Sequence, residues 1–67
     1  MDLRKTVGKN IRERRKQLGW TQEKLAGASK LTSDYLCALE NGKVNVSIDA
    51  VGRLAKSLGV EPKDLFS

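Results

Sequence analysis

The sequence contains no histidine and only one cysteine and one proline in 67 residues. The lone Cys37 cannot form an internal disulfide, and without histidine the chain cannot build a zinc site from cysteine and histidine ligands. The lack of histidine also removes the commonest general base, and the carboxylates occur singly among basic residues. We therefore expect neither an enzyme nor a bound metal or other cofactor.

Long hydrophobic runs are also missing from the sequence. No apolar stretch approaches the roughly 18 residues that span a bilayer, and residues 1–18 lack the apolar segment of a signal peptide. A chain this short can form only one hydrophobic core, so we expect a single domain over residues 1–67, supplemented in stability by self-association. We expect a cytoplasmic or nucleoid protein with no small-molecule effector, because no separate sensor module fits in this length.

The positive charge is unevenly distributed along the chain. The net charge is +5, and residues 1–18 hold seven basic side chains against two acidic ones, whereas the other 49 residues carry six of each sign. A basic segment of this kind is expected to face a polyanion, although a basic helix on a membrane surface has the same composition.

Apolar residues recur at spacings of three and four, which predicts helices, and no stretch alternates with the period of a strand. Helix stops are predicted at Gly19, Gly42 and Gly59, and helix starts at Thr21, Thr32 and Ser47. Pro62 suits the first turn of a short last helix. These signals predict an all-α fold of five helices, at about residues 3–18, 22–29, 33–40, 48–58 and 62–66.

The first and fourth helices have the clearest apolar stripes. The first consists of Leu3, Val7, Ile11 and Leu18, and the fourth of Ile48, Val51, Leu54, Ala55 and Leu58. Arg15 interrupts the first stripe where an apolar side chain is expected. Its guanidinium either finds a carboxylate, for which Glu40 is the candidate, or extends into solvent from the edge of the stripe.

The second and third predicted helices are joined by a very short connection, Lys30-Leu31-Thr32, and small Ala26 allows a close crossing. This spacing is typical of a helix-turn-helix, whose second helix fits a DNA major groove. Many all-α domains contain a similar corner, so the spacing alone does not establish DNA binding.

The residues around this corner resemble those of the Cro/CI-type, or XRE, family of helix-turn-helix regulators. The similarity rests on the runs TQEKLA at 21–26 and LENGK at 39–43, with Leu31-Thr32, Tyr35-Leu36, LAKSLGV at 54–60 and Leu65-Phe66. It extends from about Val7 to Phe66. The resemblance implies a compact five-helix, lambda-repressor-like DNA-binding domain with the helix-turn-helix at about 22–40. The short single-domain form is similar to restriction–modification controller proteins and to small phage or plasmid regulators.

The resemblance also implies which residues meet double-stranded DNA. The positions that match base-reading residues are Thr32, Ser33, Asp34 and Ala38. Ser33 can read almost any base, Asp34 could accept from cytosine N4, and Ala38 could touch a thymine methyl group. Asp34 has an equally good structural explanation, since an acidic residue in the first turn stabilises the helix dipole.

Four further positions match residues that bind DNA phosphates: Gln22, Tyr35, Asn41 and Lys43. Gln22 also matches a residue that braces the first base-reading side chain, and the ring of Tyr35 could instead pack against the core. Arg15 and Glu40 match the family's internal ion pair, which implies that they hold the first helix against the third. Arg12, Arg14 and Lys16 are interpreted as a solvated or phosphate-near face.

Three residues near the corner depart from the family pattern or have a second interpretation. Lys30 replaces the usual glycine, so a positive φ there would cost about 1 kcal/mol. Ser29 replaces an apolar residue, which predicts a weaker core beside the turn. Cys37, on the third helix, is interpreted as an inert small residue, with an oxidisable thiol as the alternative.

Four or five base contacts from one helix cannot select a genomic site, so the resemblance implies a homodimer on an inverted repeat. The dimerisation region is predicted at about 46–67, with Val46, Val60, Leu65 and Phe66 at the interface. The sequence thus predicts a sequence-specific transcriptional regulator. The alternative is a protein-interaction module of the same fold, such as an antitoxin-like partner. A membrane-bound first helix is disfavoured because its apolar face is needed for the core.

Overall fold

The computed structural model describes residues 2–67 and contains four α-helices followed by a 3-10 turn, with no strand in that range. The helices are α1 (Leu3–Gln17), α2 (Gln22–Ala28), α3 (Ser33–Glu40) and α4 (Ile48–Leu58), and the 3-10 turn spans Pro62–Phe66. The predicted all-α fold class is confirmed. The fifth element is a 3-10 turn rather than an α-helix. Over the described part of the chain, no helix combines the length and apolarity needed to cross a membrane.

The helices begin and end at the residues that local chemistry favours. The side chains of Asp2, Thr21, Thr32 and Ser47 each accept a hydrogen bond from a backbone N–H of the first turn, at 3.0–3.1 Å. The predicted stops Gly19, Gly42 and Gly59 have φ angles of 70–72°. Three of the four caps and all three stops follow the sequence prediction, whereas the cap at Asp2 was not predicted.

One continuous core joins all five elements. It contains Val7, Ile11, Leu25, Ala26, Leu36, Leu39, Val51, Leu54, Ala55, Leu58 and Leu65. Three residues assigned to apolar stripes are not part of it: Leu18 is half-buried against the core, whereas Leu3 is 53% exposed and Ile48 is 92% exposed. Leu3 and Ile48 are each the first residue of a helix, where few neighbours surround a side chain, so the helical period continues in sequence beyond the buried surface.

The crossing of α1 and α3 is closest at Gly8. A Cβ atom built on this buried glycine would overlap the backbone carbonyl oxygen of Leu39. Only glycine therefore allows α1 to approach the end of α3 this closely, and the sequence analysis did not single this residue out.

The turn between α2 and α3 is held by backbone hydrogen bonds and by two side chains of α4. Lys30 has φ 57°, and the Leu31 N–H donates to the Ala26 carbonyl at 2.8 Å, which is the Schellman arrangement of a helix end. The Arg53 guanidinium donates to the Lys30 carbonyl at 3.2 Å. Ser29 is buried, but its hydroxyl lies 3.0 Å from that of Ser57. The hydroxyl that stands where an apolar side chain is usual therefore has a hydrogen-bond partner, and the weaker core expected beside the turn stays a prediction.

Candidate nucleic-acid interface

A buried polar cluster fixes α3 against α1 and α2. Arg15 donates from Nε and Nη2 to the two carboxylate oxygens of Glu40, at 2.7 and 2.9 Å, and from Nη1 to the Trp20 carbonyl at 2.7 Å. The side chains of Arg15 and Glu40 are 11% and 3% exposed. The expected ion pair is therefore present, and the solvent-extended alternative for Arg15 is not what the structure shows.

Gln22 completes this cluster, because its Nε2 donates to Glu40 Oε1 at 3.1 Å. The hydrogen bonds that Arg15 itself donates to Glu40 hold the pKa of Arg15 above its ordinary value, against an opposing effect of burial. Arg15 therefore stays charged at neutral pH, and α1, α2 and α3 are joined through the Glu40 carboxylate.

The outer side of α3 is open to solvent. Thr32, Ser33 and Asp34 are exposed, as is Cys37 one turn further along, and Ala38 is half-buried. Thr32 Oγ1 accepts from the Tyr35 N–H at 3.1 Å, so its own hydroxyl hydrogen is not used by the cap. The four predicted base-reading residues thus lie on the first turns of α3, with Ala38 the least accessible.

Tyr35 and Asn41, two of the predicted phosphate ligands, also have structural roles. Tyr35 is half-buried against the core, and its hydroxyl oxygen accepts from the Ser47 N–H at 3.2 Å. Asn41 Nδ2 donates to the Cys37 carbonyl at 2.9 Å and lies 3.4 Å from Cys37 Sγ. The amide of Asn41 is therefore engaged at the end of α3, whereas Lys43 is exposed beyond it.

Two polar residues of α1 hold the C-terminal part of the chain. Arg14 Nε donates to the Leu58 carbonyl at 2.9 Å, and Asn10 Nδ2 donates to the carbonyls of Leu65 and Ser67 at 2.9 and 3.1 Å. Arg14 is thus a structural residue rather than part of a solvated basic face. The partners lie 44 to 57 residues away in sequence, so no local pattern marks these contacts.

The residues predicted at a dimer interface differ in their exposure. Leu65 is 1% exposed and packs inside the protomer, so its side chain cannot offer apolar surface to a second copy, and this assignment is corrected. Val46 and Val60 are half-buried against the core, and Phe66 is 41% exposed. Phe66 and Val46 line a shallow apolar groove with Leu3, Val7, Leu39 and Val44.

Comparison with known proteins finds the same fold in regulators of transcription. Residues 11–65 match the family described as "Helix-turn-helix". The uncharacterized HTH-type transcriptional regulator y4dJ of Sinorhizobium fredii is 38% identical over 67 residues, covering this whole chain and 87% of that protein. Control protein C.BamHI of Bacillus amyloliquefaciens is 38% identical over 97% of this chain and 82% of its own length.

The fold also matches that of a solved structure. The restriction-modification controller protein C.AhdI from Aeromonas hydrophila superposes with a TM-score of 0.90 at 38% identity, over 94% of this chain and 96% of that one. The chain therefore belongs to the Cro/CI-type (XRE) helix-turn-helix family, and it is a transcriptional regulator with a helix-turn-helix DNA-binding domain rather than an enzyme.

Proposed function

We propose that the protein binds an inverted-repeat DNA operator as a homodimer, with α3 of each protomer in a major groove. The observation that carries this proposal is the position of α3. Its outer side is exposed while its inner side is fixed by Leu36, Leu39 and the Glu40 carboxylate. A rigid helix with one free side is what insertion into a groove about 12 Å wide requires.

Base recognition is assigned to the first turns of α3. The hydroxyls of Thr32 and Ser33 can donate or accept, the Asp34 carboxylate accepts, and the Ala38 methyl group is small enough to contact a thymine methyl. Because the two hydroxyls discriminate weakly between bases, one protomer reads a short and permissive half-site. Two half-sites about one helical turn apart supply the remaining specificity.

Phosphate contacts are assigned to the ends of this surface. Gln22 Nε2 carries two hydrogens and gives one to Glu40, so the other can reach a phosphate. The Tyr35 hydroxyl accepts from Ser47 and keeps its hydrogen for donation, and Lys43 is exposed. Asn41 contributes least, because its Nδ2 already contacts both the carbonyl oxygen and Sγ of Cys37.

The proposed regulator works through its own concentration. The helix-turn-helix occupies about 22–40 and the dimerisation region about 46–67, so dimer assembly and operator binding are coupled and the response is steep. Similarity to a control protein and a restriction-modification controller supports a role as a small autoregulator in the cytoplasm or nucleoid. No effector molecule is part of this mechanism.

Selection from random duplexes followed by footprinting tests the operator. We expect one enriched inverted repeat with two protected half-sites. Gln22→Ala should weaken binding to every duplex, whereas Ser33→Ala should change the preference at one base position. If neither substitution alters DNA affinity in folded protein, the assignment of α3 to the groove is wrong.

Salt dependence separates operator binding from the protein-partner alternative. About six phosphate contacts per dimer should lower the affinity by orders of magnitude between low and moderate salt, with a slope of about −5 in the logarithms. A flat salt response without an enriched duplex would instead favour an antitoxin-like interaction module.

A further inference from the structure

A groove between α1 and the end of α3 carries more positive charge than the fold requires. Its α1 side is lined by Lys5, Lys9, Arg12 and Lys16, and its other side by Asn41 and Gly42. The four cations occur at spacings of four, three and four, which places them on one face of α1. None of the four cations contributes to the core, since the buried face of α1 consists of Val7, Gly8, Ile11 and Arg15.

The acidic residues of this groove do not neutralise it. Glu40 is bonded to Arg15 and Gln22, and Glu13 forms only a 3.8 Å contact with Lys9 at the exposed surface. Over residues 2–67, no carboxylate lies within 4.0 Å of the charged groups of Lys5, Arg12 or Lys16. Like charges at these spacings destabilise a helix, so this face lowers the stability of α1 unless an anion covers it.

The groove adjoins the surface proposed to meet DNA. Asn41 and Gly42 directly follow α3, and Lys43 is the next residue. The face of α1 extends from there over the eleven residue steps from Lys5 to Lys16, which is roughly 16 Å of helix. A sugar-phosphate backbone passing over Lys43 therefore meets the open end of a cationic track.

We infer that this face of α1 is a second backbone-binding surface, which takes the phosphates of the duplex held by α3. The inference rests on the proposed function for its ligand and adds contacts outside the helix-turn-helix. Charge complementarity favours a nucleic-acid backbone over an anionic membrane, because Val7 and Ile11 are 3% and 0% exposed and α1 has no apolar face left to enter a bilayer. Phosphate contacts carry no sequence information, so this surface raises affinity for all duplexes equally.

The test is the double variant Lys9→Gln/Arg12→Gln compared with Lys56→Gln/Lys63→Gln. Both variants lose two exposed positive charges per protomer, but the second pair lies on α4 and the 3-10 turn, away from the groove. Because this second pair falls within the region assigned to dimerisation, the affinities are compared at protein concentrations at which sedimentation equilibrium shows both variants to have the same oligomeric state. Affinity for the selected operator and for a random duplex is measured from 50 to 300 mM salt. We expect the α1 variant to bind both duplexes about tenfold more weakly than the control variant, and each lost contact to reduce the salt slope by about 0.9.

Ethylation interference on the operator maps the phosphates involved. Ethylation of certain phosphates should block binding of the parent protein but not of the α1 variant. The base positions required for binding should be the same for both proteins. Urea unfolding at low salt should show the α1 variant to be at least as stable as the parent, which separates weaker binding from misfolding.

Equal affinities of the two double variants, or an unchanged interference pattern, would overturn the assignment. Binding to vesicles of phosphatidylcholine and phosphatidylserine tests the membrane alternative. The assignment would also be overturned if the α1 variant lost vesicle binding but retained duplex binding. A different result is expected if only the operator proposal is wrong. No duplex is then enriched by the parent protein, yet the α1 variant still loses affinity for random DNA.

Discussion

Arg15 and Glu40 show how one buried pair can position a whole interface. Their side chains are almost fully enclosed, and every strong hydrogen bond of the cluster ends on the Glu40 carboxylate or the Trp20 carbonyl. Since the pKa of Arg15 is raised, its contribution is complete below the ordinary arginine pKa and is lost only as the pH rises through the still higher folded value. The pair therefore does not make the fold pH-sensitive near neutrality.

Glu40→Gln should remove much of the stability that this pair supports. The variant leaves a buried guanidinium without a countercharge, which costs about 3 kcal/mol in the free energy of unfolding. Glu13→Gln is the matched control, because Glu13 faces Lys9 at 3.8 Å with both side chains mostly exposed and should cost at most about 0.5 kcal/mol. Urea denaturation of both variants makes the comparison. Similar losses in the two would contradict the structural role of the cluster.

Lys30 carries backbone strain that glycine would relieve. Its φ of 57° lies in the left-handed region, which side chains with a Cβ adopt at a cost of about 1 kcal/mol. Lys30→Gly should therefore raise the unfolding free energy by about 0.5 to 1 kcal/mol, measured by thermal and urea unfolding. Lys30→Ala removes the same charge but keeps the Cβ, so it should not stabilise the protein. Stabilisation by alanine as well would assign the effect to charge instead of conformation.

At the scale of elements, the α1–α3 crossing depends on the absence of one side chain. Gly8→Ala places a methyl group against the Leu39 carbonyl, and backbone atoms cannot move aside cheaply, so we expect a loss of about 2 kcal/mol. Gly52→Ala is the control in α4, where a new Cβ meets nothing within 4 Å and should stabilise the helix by about 0.5 to 1 kcal/mol. Opposite signs for the same substitution in the two helices are the expected result of urea unfolding. Matching signs would show that the crossing is less close than described.

The start of α1 should respond to acid. Asp2 caps the helix, and its hydrogen bonds with Arg4 hold the pKa of its carboxyl below the ordinary value of 3.8. A lowered pKa means that this contribution is present above pH 3.8 and is lost as the pH falls through the lower folded value. Asp2→Asn keeps a capping oxygen without the titration, so its stability should fall less steeply than that of the parent between pH 5 and pH 2. Parallel profiles by circular dichroism would exclude this role of Asp2.

Local chemistry predicts the elements better than the contacts between them. Caps such as Thr32 and Ser47 and stops such as Gly42 are visible in sequence because their partners lie within four residues. The tethers from Arg14 and Asn10 connect positions more than 40 residues apart, and a helical period assigns those side chains only to a polar face. Ile48 shows the converse error, because periodicity does not report where a buried surface ends.

For the candidate nucleic-acid interface, the sequence predicted the exposure of residues and one ion pair but not the remaining hydrogen bonds between them. The family resemblance placed Ser33, Asp34 and Lys43 on an exposed surface and brought Arg15 to Glu40. It did not reveal that Gln22 shares the Glu40 carboxylate or that the Asn41 amide is used at the end of α3. Such competing hydrogen bonds depend on side-chain geometry, which residue type and spacing do not specify.

At the scale of the whole molecule, the small core leaves apolar groups uncovered in the region assigned to dimerisation. Ile48 is 92% exposed at the start of α4, two residues from Val46 in the apolar groove, and Phe66 on the same groove is 41% exposed. In a two-fold symmetric interface each of these side chains occurs once per protomer, so both copies are buried and both contribute to the stability of the dimer. A dimer that is lost on unfolding also makes the melting temperature rise with protein concentration.

Ile48→Ser tests this arrangement without disturbing the protomer, because an almost fully exposed side chain contributes little to the core. We expect the dimer dissociation constant, measured by sedimentation equilibrium, to increase at least about tenfold, and the concentration dependence of the melting temperature to shift accordingly. Lys56→Ser on the same helix is the control, since it alters an exposed polar position and should leave both quantities unchanged. An equal dissociation constant for the two variants would place the interface elsewhere. A parent protein that stays monomeric at every concentration would remove the two-fold operator from the proposed mechanism.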